Sequence, residues 1–159
     1  MRRVILTLLA VSFCSVAYAV DLGRAQGAMI VDGSRVDLNY AYAINHQKNE
    51  VTHRSDDTRV VLTAKPLPPD VNLADIDDSF PEGILGMVIS VSSDDKVSHI
   101  VVQHARGMYD GGFFAEEPSY TFKRLNSTDG SIAGTVSATK VKTNTMTFWF
   151  NVDFAAMPK

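Results

Sequence analysis

Residues 28–45 read AMIVDGSRVDLNYAYAIN, and this stretch decides the fold. Side chains of a β-strand point alternately to its two faces, so an apolar residue at every second position predicts a strand with one buried face. The set with this spacing is Val36, Leu38, Tyr40, Tyr42 and Ile44. The pair Asp-Gly at 32–33 separates this strand from the apolar run at 28–31, and glycine accepts the positive φ of a tight hairpin turn. The two strands are therefore expected to pair antiparallel.

Six further stretches have the same character and bring the expected number of strands to about eight. They cover residues 58–64, 83–92, 97–104, 120–125, 132–139 and 146–154. The last is the most apolar, because Met146, Phe148, Phe150, Val152 and Phe154 share one face. A strand this hydrophobic needs a partner on both edges, so we expect it at the centre of a sheet.

The segment 65–81 interrupts this rhythm. Pro66, Pro68 and Pro69 cannot continue a sheet interior. Asp70 or Asn72 could cap a short helical turn over residues 73–78, which suggests a crossover lying over the sheet. The chain is thus expected to be all-β and mainly antiparallel, with one short helical crossover. A closed or nearly closed barrel and a two-sheet sandwich fit this pattern equally well.

The first nineteen residues have the pattern of a secretory signal peptide. Arg2 and Arg3 precede an apolar run at 4–16, and Ala-Tyr-Ala at 17–19 provides the small residues that signal peptidase accepts. Cleavage is expected before Val20, which leaves residues 20–159 as a single domain that is periplasmic or secreted. No later stretch is long and apolar enough to predict a membrane span. The single cysteine, Cys14, lies in the leader, so the processed chain folds without disulfides.

The charge of the chain argues against two classes of partner. Losing Arg2 and Arg3 changes the net charge from −3 to −5. An acidic domain without a basic stripe repels phosphate backbones, which argues against nucleic acid, and also disfavours adhesion to anionic lipid. A protein or an envelope component is the expected partner, and the sequence sets no oligomeric state.

A glycine- and aromatic-rich loop at 106–117 is the first candidate for a binding site. Tyr109, Asp110, Phe113 and Phe114 offer large contact areas beside three glycines that free the backbone. The alternative is that these aromatic rings fold back and plug the end of the core. Trp149 is the second candidate, because it shares a strand face with polar residues and could anchor a partner. Its alternative is burial under the crossover or a neighbouring strand.

The sequence provides no recognisable catalytic or metal-binding motif. It has neither a Gly-x-Ser-x-Gly elbow nor a His-Glu-x-x-His helix motif, so no catalytic residue and no cofactor are predicted. The four histidines are His46, His53, His99 and His104. His99 and His104 have opposite parity on one expected strand and should point to opposite faces, so they cannot share a metal ion.

Several short segments carry a family resemblance. They are the hairpin residues 27–33, the strand 36–43 ending in Tyr-Ala-Tyr-Ala, residues 59–63 followed by Lys-Pro-Leu, and the closing residues 152–156. Together they resemble a group of small exported β proteins, without an assigned activity, from Gram-negative and related bacteria. The resemblance implies export and a β fold, and it supplies no active residue.

Our leading functional hypothesis is non-enzymatic binding of a protein or an envelope component. One alternative is a barrel that carries a small apolar ligand between the faces of 36–44 and 148–154. The other is an enzyme with an unrecognised site, which would bring titratable side chains with shifted pKa values together in one pocket.

Overall fold

The structure, a computed structural model, describes residues 20–46, 57–76, 80–111, 120–125 and 129–159. These residues contain nine β-strands and one short 3-10 helix. The strands are β1 (Arg24–Val31), β2 (Ser34–His46), β3 (Asp57–Thr63), β4 (Gly86–Ser92), β5 (Val97–His104), β6 (Gly107–Asp110), β7 (Tyr120–Leu125), β8 (Ile132–Lys142) and β9 (Thr147–Ala156), and the 3-10 helix is Leu73–Asp75. Within these residues, no helix is long and apolar enough to cross a bilayer.

All nine strands belong to one sheet in the order β6-β5-β4-β3-β2-β1-β9-β8-β7, and every neighbouring pair is antiparallel. The predicted all-β fold with little helix is therefore confirmed. The apolar strand β9 lies between β1 and β8, away from the edges, as its composition predicted. The sheet is not closed into a barrel, because β6 and β7 are its two edges.

The β1–β2 hairpin forms where the Asp-Gly pair predicted it. Asp32 and Gly33 both have positive φ, 48° and 81°, which matches the twist of the flanking strands. The Asp32 side chain also accepts a hydrogen bond of 2.8 Å from the backbone N–H of Thr147 at the start of β9. This contact joins the hairpin turn to the strand on its other side.

Strand β6 was missed by the sequence analysis, which treated residues 106–117 as a loop. The structure pairs Gly107–Asp110 with β5, from His104↔Gly107 to Val101↔Asp110. The pairing depends on the tertiary position of β5, and a segment of only four residues is too short for a periodicity that would predict it. The described strands therefore number nine rather than eight.

The sequence predicted that Val36, Leu38, Tyr40, Tyr42 and Ile44 share one face of β2. This prediction was wrong for the second half of the strand. Leu38 points to the core with Val36, but beyond Asn39 the core side chains are Ala41 and Ala43. Tyr42 and Ile44 instead pack on the opposite face of the sheet. The parity changes near a β-bulge in the β1–β2 ladder between Arg24 and Gly27.

The sheet curls around one large core, which lies on its inner face. Tyr109 on the edge strand β6 places its ring 5.1 Å from that of Phe148 on β9, six positions away in the strand order. On the other edge, Arg124 of β7 reaches Asp95 in the β4–β5 turn, with Nε 2.6 Å from the carboxylate. The largest fully buried side chains of this core include Met29, Leu38, Leu62, Met87, Ile89, Ile100, Phe148, Phe150 and Phe154.

The outer face of β2–β5 is covered by the connection between β3 and β4. Thr63 and Gly86 are partners in the ladder, so the connection leaves the sheet and re-enters it at the same place, and its described residues, 64–76 and 80–85, fold back over the sheet. Leu73 and Ile76 of this connection pack with three outward valines. These are Val61, Val88 and Val101, each 0% exposed. We call this surface the covered half.

The 3-10 helix in the connection begins as predicted at Asn72, one of the two proposed caps. The Asn72 side chain accepts a hydrogen bond from the Ala74 N–H at 3.2 Å and donates one to the Asp75 carboxylate at 2.8 Å. A further hydrogen bond, 2.9 Å from the Leu67 N–H to the Tyr42 hydroxyl, ties the connection to β2. The expected short helical crossover is thus present and lies on the sheet.

Candidate functional site

The outer face of β1, β9, β8 and β7 differs from the covered half, and we call it the open half. Its outward side chains are mostly polar and half-buried or exposed. A surface groove of about 580 Å³ lies on this half, around Trp149. Its lining residues are Gly27, Ala28, Ile30, Arg35, Ser137, Ala138, Thr139, Trp149, Phe150 and Asn151. We call this feature the Trp149 groove.

Strand register explains why these residues meet. Trp149 on β9 is the ladder partner of Ile30 on β1, and Ile30 is in turn the partner of Arg35 on β2. The next row contains Asn151 and its partners Ala28 and Ser137. Residues two apart on one strand share a face, so both rows point outward while Phe148, Phe150 and Val152 fill the core.

A β-bulge shapes the side of the groove that β8 forms. Between Ala138 and Val141 the β8–β9 register shifts by one residue, because Ala138 pairs with Phe150 while Val141 pairs with Phe148. An extra residue bends the bulged strand and increases its twist, so β8 departs from the regular ladder beside Trp149. Thr139, which lies in this bulge, lines the groove.

The sequence analysis placed Trp149 on the polar side of the last strand, and the structure has it there. The alternative is that the crossover or a neighbouring strand covers it. The described part of the crossover packs instead on the covered half. Trp149 is half-buried, with the side chains of β1, β2 and β8 around it.

The polar side chains of the groove are available for hydrogen bonding. Within the described part of the chain, the side chains of Ser137, Thr139 and Asn151 make no hydrogen bond. One row further along, by contrast, the Thr135 hydroxyl donates to the Asp153 carboxylate at 2.5 Å. The groove therefore holds polar groups that no described residue engages, beside a row in which Thr135 and Asp153 are hydrogen-bonded to each other.

The groove carries little net charge. Arg35 is its charged lining residue, and its guanidinium lies 2.7 Å from the carboxylate of Asp37. Both side chains are more than 60% exposed, so the pair is solvated and contributes little to stability. An approaching ligand therefore meets a nearly neutral surface.

The loop candidates lie elsewhere. Tyr109 is on the edge strand β6, where its half-buried ring packs on Phe148. Asp110 is the last residue of β6, and its carboxylate lies 2.6 Å from Nε2 of His99. Phe113 and Phe114 lie outside the described residues. Tyr109 and Asp110 are thus separated from Trp149 by the thickness of the sheet or by several strands.

The described histidines and carboxylates do not come together in a metal site. His99 pairs with Asp110 on the outer face, whereas His104 is 6% exposed and follows the parity of Ile100 and Val102, which are in the core. In the described ranges, no three His, Cys, Asp or Glu residues come together in a way that could hold a metal ion. The side chains of His46 and His53 lie outside the described residues.

Among the described residues, the titratable groups with a clear pKa shift lie in exposed turns, not in the groove. The salt bridge with Lys96 lowers the pKa of Asp94, and this carboxylate in turn raises the pKa of the lysine. Hydrogen bonds from Ser131 lower the pKa of Asp129. These shifts describe local turn structure in the β4–β5 and β7–β8 connections.

Sequence reasoning missed most of the groove. It identified Trp149, but not Ile30, Arg35 or Thr139, which reach it from other strands. The parity of Ile30, opposite to that of Met29 and Val31, was a usable signal for an outward position. The bulge that brings Thr139 to the groove has no comparable signal, since it depends on how β8 pairs with β9.

Comparison with known proteins gave no relative. No family model, no curated protein and no solved structure matches this chain.

Proposed function

We propose that the chain is exported and that residues 20–159 form a non-enzymatic binding domain for a protein or another component of the bacterial envelope. The Trp149 groove is its recognition site. The observation that carries this proposal is the contrast between the halves of the outer face, because a tryptophan stands in a groove on the polar, open half. Tryptophan combines a large apolar surface with one N–H donor, which suits it to recognition.

The packing of the inner face supports recognition on the surface rather than transport of an apolar ligand inside the sheet. Buried side chains from eight of the nine described strands pack there in one cluster, and Tyr109 of the ninth, β6, packs against it. The rings of Phe148 and Phe150 stack 6.4 Å apart, and Phe122 of β7 stacks 5.9 Å from Phe154. The inward side chains of 36–44 and 148–154, which would line the cavity of a carrier, pack in this same cluster. Tyr42 and Ile44 from the 36–44 set lie on the outer face instead.

Export is tested by the N-terminus of the protein after expression in a Gram-negative host. We expect the periplasmic fraction or medium to contain a chain that starts at Val20, and an Ala17→Glu, Ala19→Glu variant to retain residues 1–19. A full-length chain in the cytosol of cells with an active secretion system contradicts export.

Binding is tested by sedimentation of the processed protein with isolated bacterial envelopes. We expect the wild type to co-sediment in a saturable manner and Trp149→Ala to lose most of this binding. The matched control is Met157→Ala, which removes an apolar side chain, 42% exposed, just after the same strand and outside the groove. Circular dichroism melting establishes that each variant is folded.

Asn151→Ala keeps the test decisive if the tryptophan variant does not fold. Asn151 is exposed and lines the groove, so its truncation removes a polar contact without opening the core. Weaker binding for both groove variants and unchanged binding for Met157→Ala supports the proposal. Equal binding by all four proteins contradicts it.

A further inference from the structure

We propose that the ligand of the Trp149 groove is a neutral saccharide, of the kind found in the glycans of a bacterial envelope. This inference rests on the proposed function, because both place recognition in the same groove. It goes further in naming the chemical class of the ligand from the side chains that line the site.

The lining combines an aromatic surface with uncommitted hydroxyl and amide groups. A sugar ring has a face of C–H bonds, which is buried favourably against an aromatic side chain such as Trp149. Its rim carries hydroxyls that both donate and accept hydrogen bonds. The hydroxyls of Ser137 and Thr139 and the amide of Asn151 also do both, and none of the three is used within the described residues.

The charges around the groove favour a neutral sugar over an acidic one. Arg35 could attract a uronic acid or a phosphate, but the carboxylate of Asp37 lies 2.7 Å from its guanidinium. An anionic ligand would have to compete with this carboxylate and would meet a domain with an acidic net charge. A neutral ligand has neither cost.

The size of the site favours a saccharide over a protein partner. The groove volume of about 580 Å³ lies within the range of roughly 300–1,000 Å³ that small-ligand sites occupy. A stable protein interface instead needs about 1,200 Å² or more, with an apolar centre. Outside the groove, the outward side chains of this half include Gln26, Thr121 and Lys123, which are polar or charged and exposed.

The experiment is a titration of the processed protein, with the fluorescence of Trp149 as the signal. Trp149 is the single tryptophan of the chain, so the emission reports the groove directly. The probes are a panel of neutral oligosaccharides that together contain the common hexoses and N-acetylhexosamines, and a matched panel of uronic acid and sialylated oligosaccharides. We expect saturable emission changes with at least one neutral oligosaccharide and weaker ones with the acidic panel.

Two amide truncations separate a role in the groove from a general effect on the fold. Asn151→Ala is expected to weaken binding of that oligosaccharide about fivefold, the loss of one hydrogen bond of about 1 kcal/mol. Gln26→Ala removes an exposed amide on β1 that does not line the groove and should leave binding unchanged. Equal effects of the two variants contradict the proposal, as does tighter binding of the acidic panel.

Failure of this inference can be told from failure of the proposed function. If no neutral oligosaccharide changes the emission while envelope binding still depends on Trp149, the ligand is of another class and the groove remains the binding site. If envelope binding is the same in wild type and Trp149→Ala, the groove itself is not the binding site. Release of the bound protein from envelopes by the active oligosaccharide supports both proposals together.

Discussion

The two halves of the outer face are built from the same kind of strand, yet they are used differently. On the covered half three outward valines, Val61, Val88 and Val101, are fully buried beneath the β3–β4 connection, and the outward Arg59 is buried there as well. On the open half the outward positions are mainly polar, with Trp149 in a groove among them. An antiparallel sheet can leave one face to solvent. We therefore expect the covered half to contribute more to stability, and recognition on the open half is our proposal.

The largest expected difference between the halves is the cost of truncating an isoleucine. Ile76 in the connection is 1% exposed, so Ile76→Ala leaves a cavity and should cost about 2–5 kcal/mol in free energy of unfolding. Ile30 on the open half is half-buried, so Ile30→Ala should cost about 1 kcal/mol. Urea denaturation followed by circular dichroism measures both. Similar losses would mean that the connection contributes no more to stability than the open surface does.

A pair of arginines provides a second, smaller contrast. Arg59 on β3 is 3% exposed and donates a 3.2 Å hydrogen bond to the carbonyl oxygen of Ala74 in the connection. Arg59→Met keeps an apolar stem and deprives that carbonyl of its donor, at a cost of about 1–3 kcal/mol. Arg35→Met on the open half removes a solvated ion pair and should change stability by less than about 0.5 kcal/mol.

The arginine contrast is measured by the same denaturation, with the m-value as a check that both variants still unfold from the native sheet. The control for electrostatics is added salt. Salt should reduce the small effect at Arg35 and leave the effect at Arg59 nearly unchanged, because exposed pairs are screened more than buried ones. A larger loss for Arg35→Met than for Arg59→Met would contradict the division into a covered and an open half.

The smallest expected effect is the contribution of two turn carboxylates to stability at acid pH, which should be similar in the two halves. Asp94 lies in the β4–β5 turn and Asp129 in the β7–β8 turn, and hydrogen bonds hold the pKa of each carboxyl below its ordinary value of 3.8. A carboxyl with a lowered pKa in the folded state stabilises fully above its unfolded pKa, and this stabilisation is lost as the pH falls through the lowered pKa.

Acid melting curves check this prediction. When the pH is lowered from about 5 to about 3, the melting temperature of Asp94→Asn and of Asp129→Asn should fall slightly less than that of the wild type. The difference from the wild type should be similar for the two variants. Both groups are exposed, so the effects are small. A marked difference between the two variants would show that the turns of the two halves do not behave alike.

Much of the fold could be predicted from local patterns. The Asp-Gly turn, the central position of β9 and the cap at Asn72 each depend on residues close together in the sequence. Strand β2 could not be assigned to one face from its alternation alone. Tyr42 and Ile44 pack with the connection on the outer face and not with the inner core. Where both faces of a strand are covered, alternation no longer tells which face is which.

The candidate site was predictable to a smaller extent. The parity of β9 was enough to place Trp149 among polar neighbours, since it needs only the two-residue period of one strand. The partners of Trp149 come from the registers of β1 with β2 and β9, and from the bulge in β8. Register and bulges are set by pairing across the sheet, so a single strand's sequence does not reveal them.

Hydroxyl-radical labelling read residue by residue tests the division of the outer face most directly, with each residue normalised to its own labelling in the unfolded chain. We expect substantial labelling of Trp149 and Ile30 in the native protein and strong protection of Ile76 and Val88. Protection of Trp149 equal to that of Ile76 would contradict it, because both halves would then be covered and the groove would be closed to any partner.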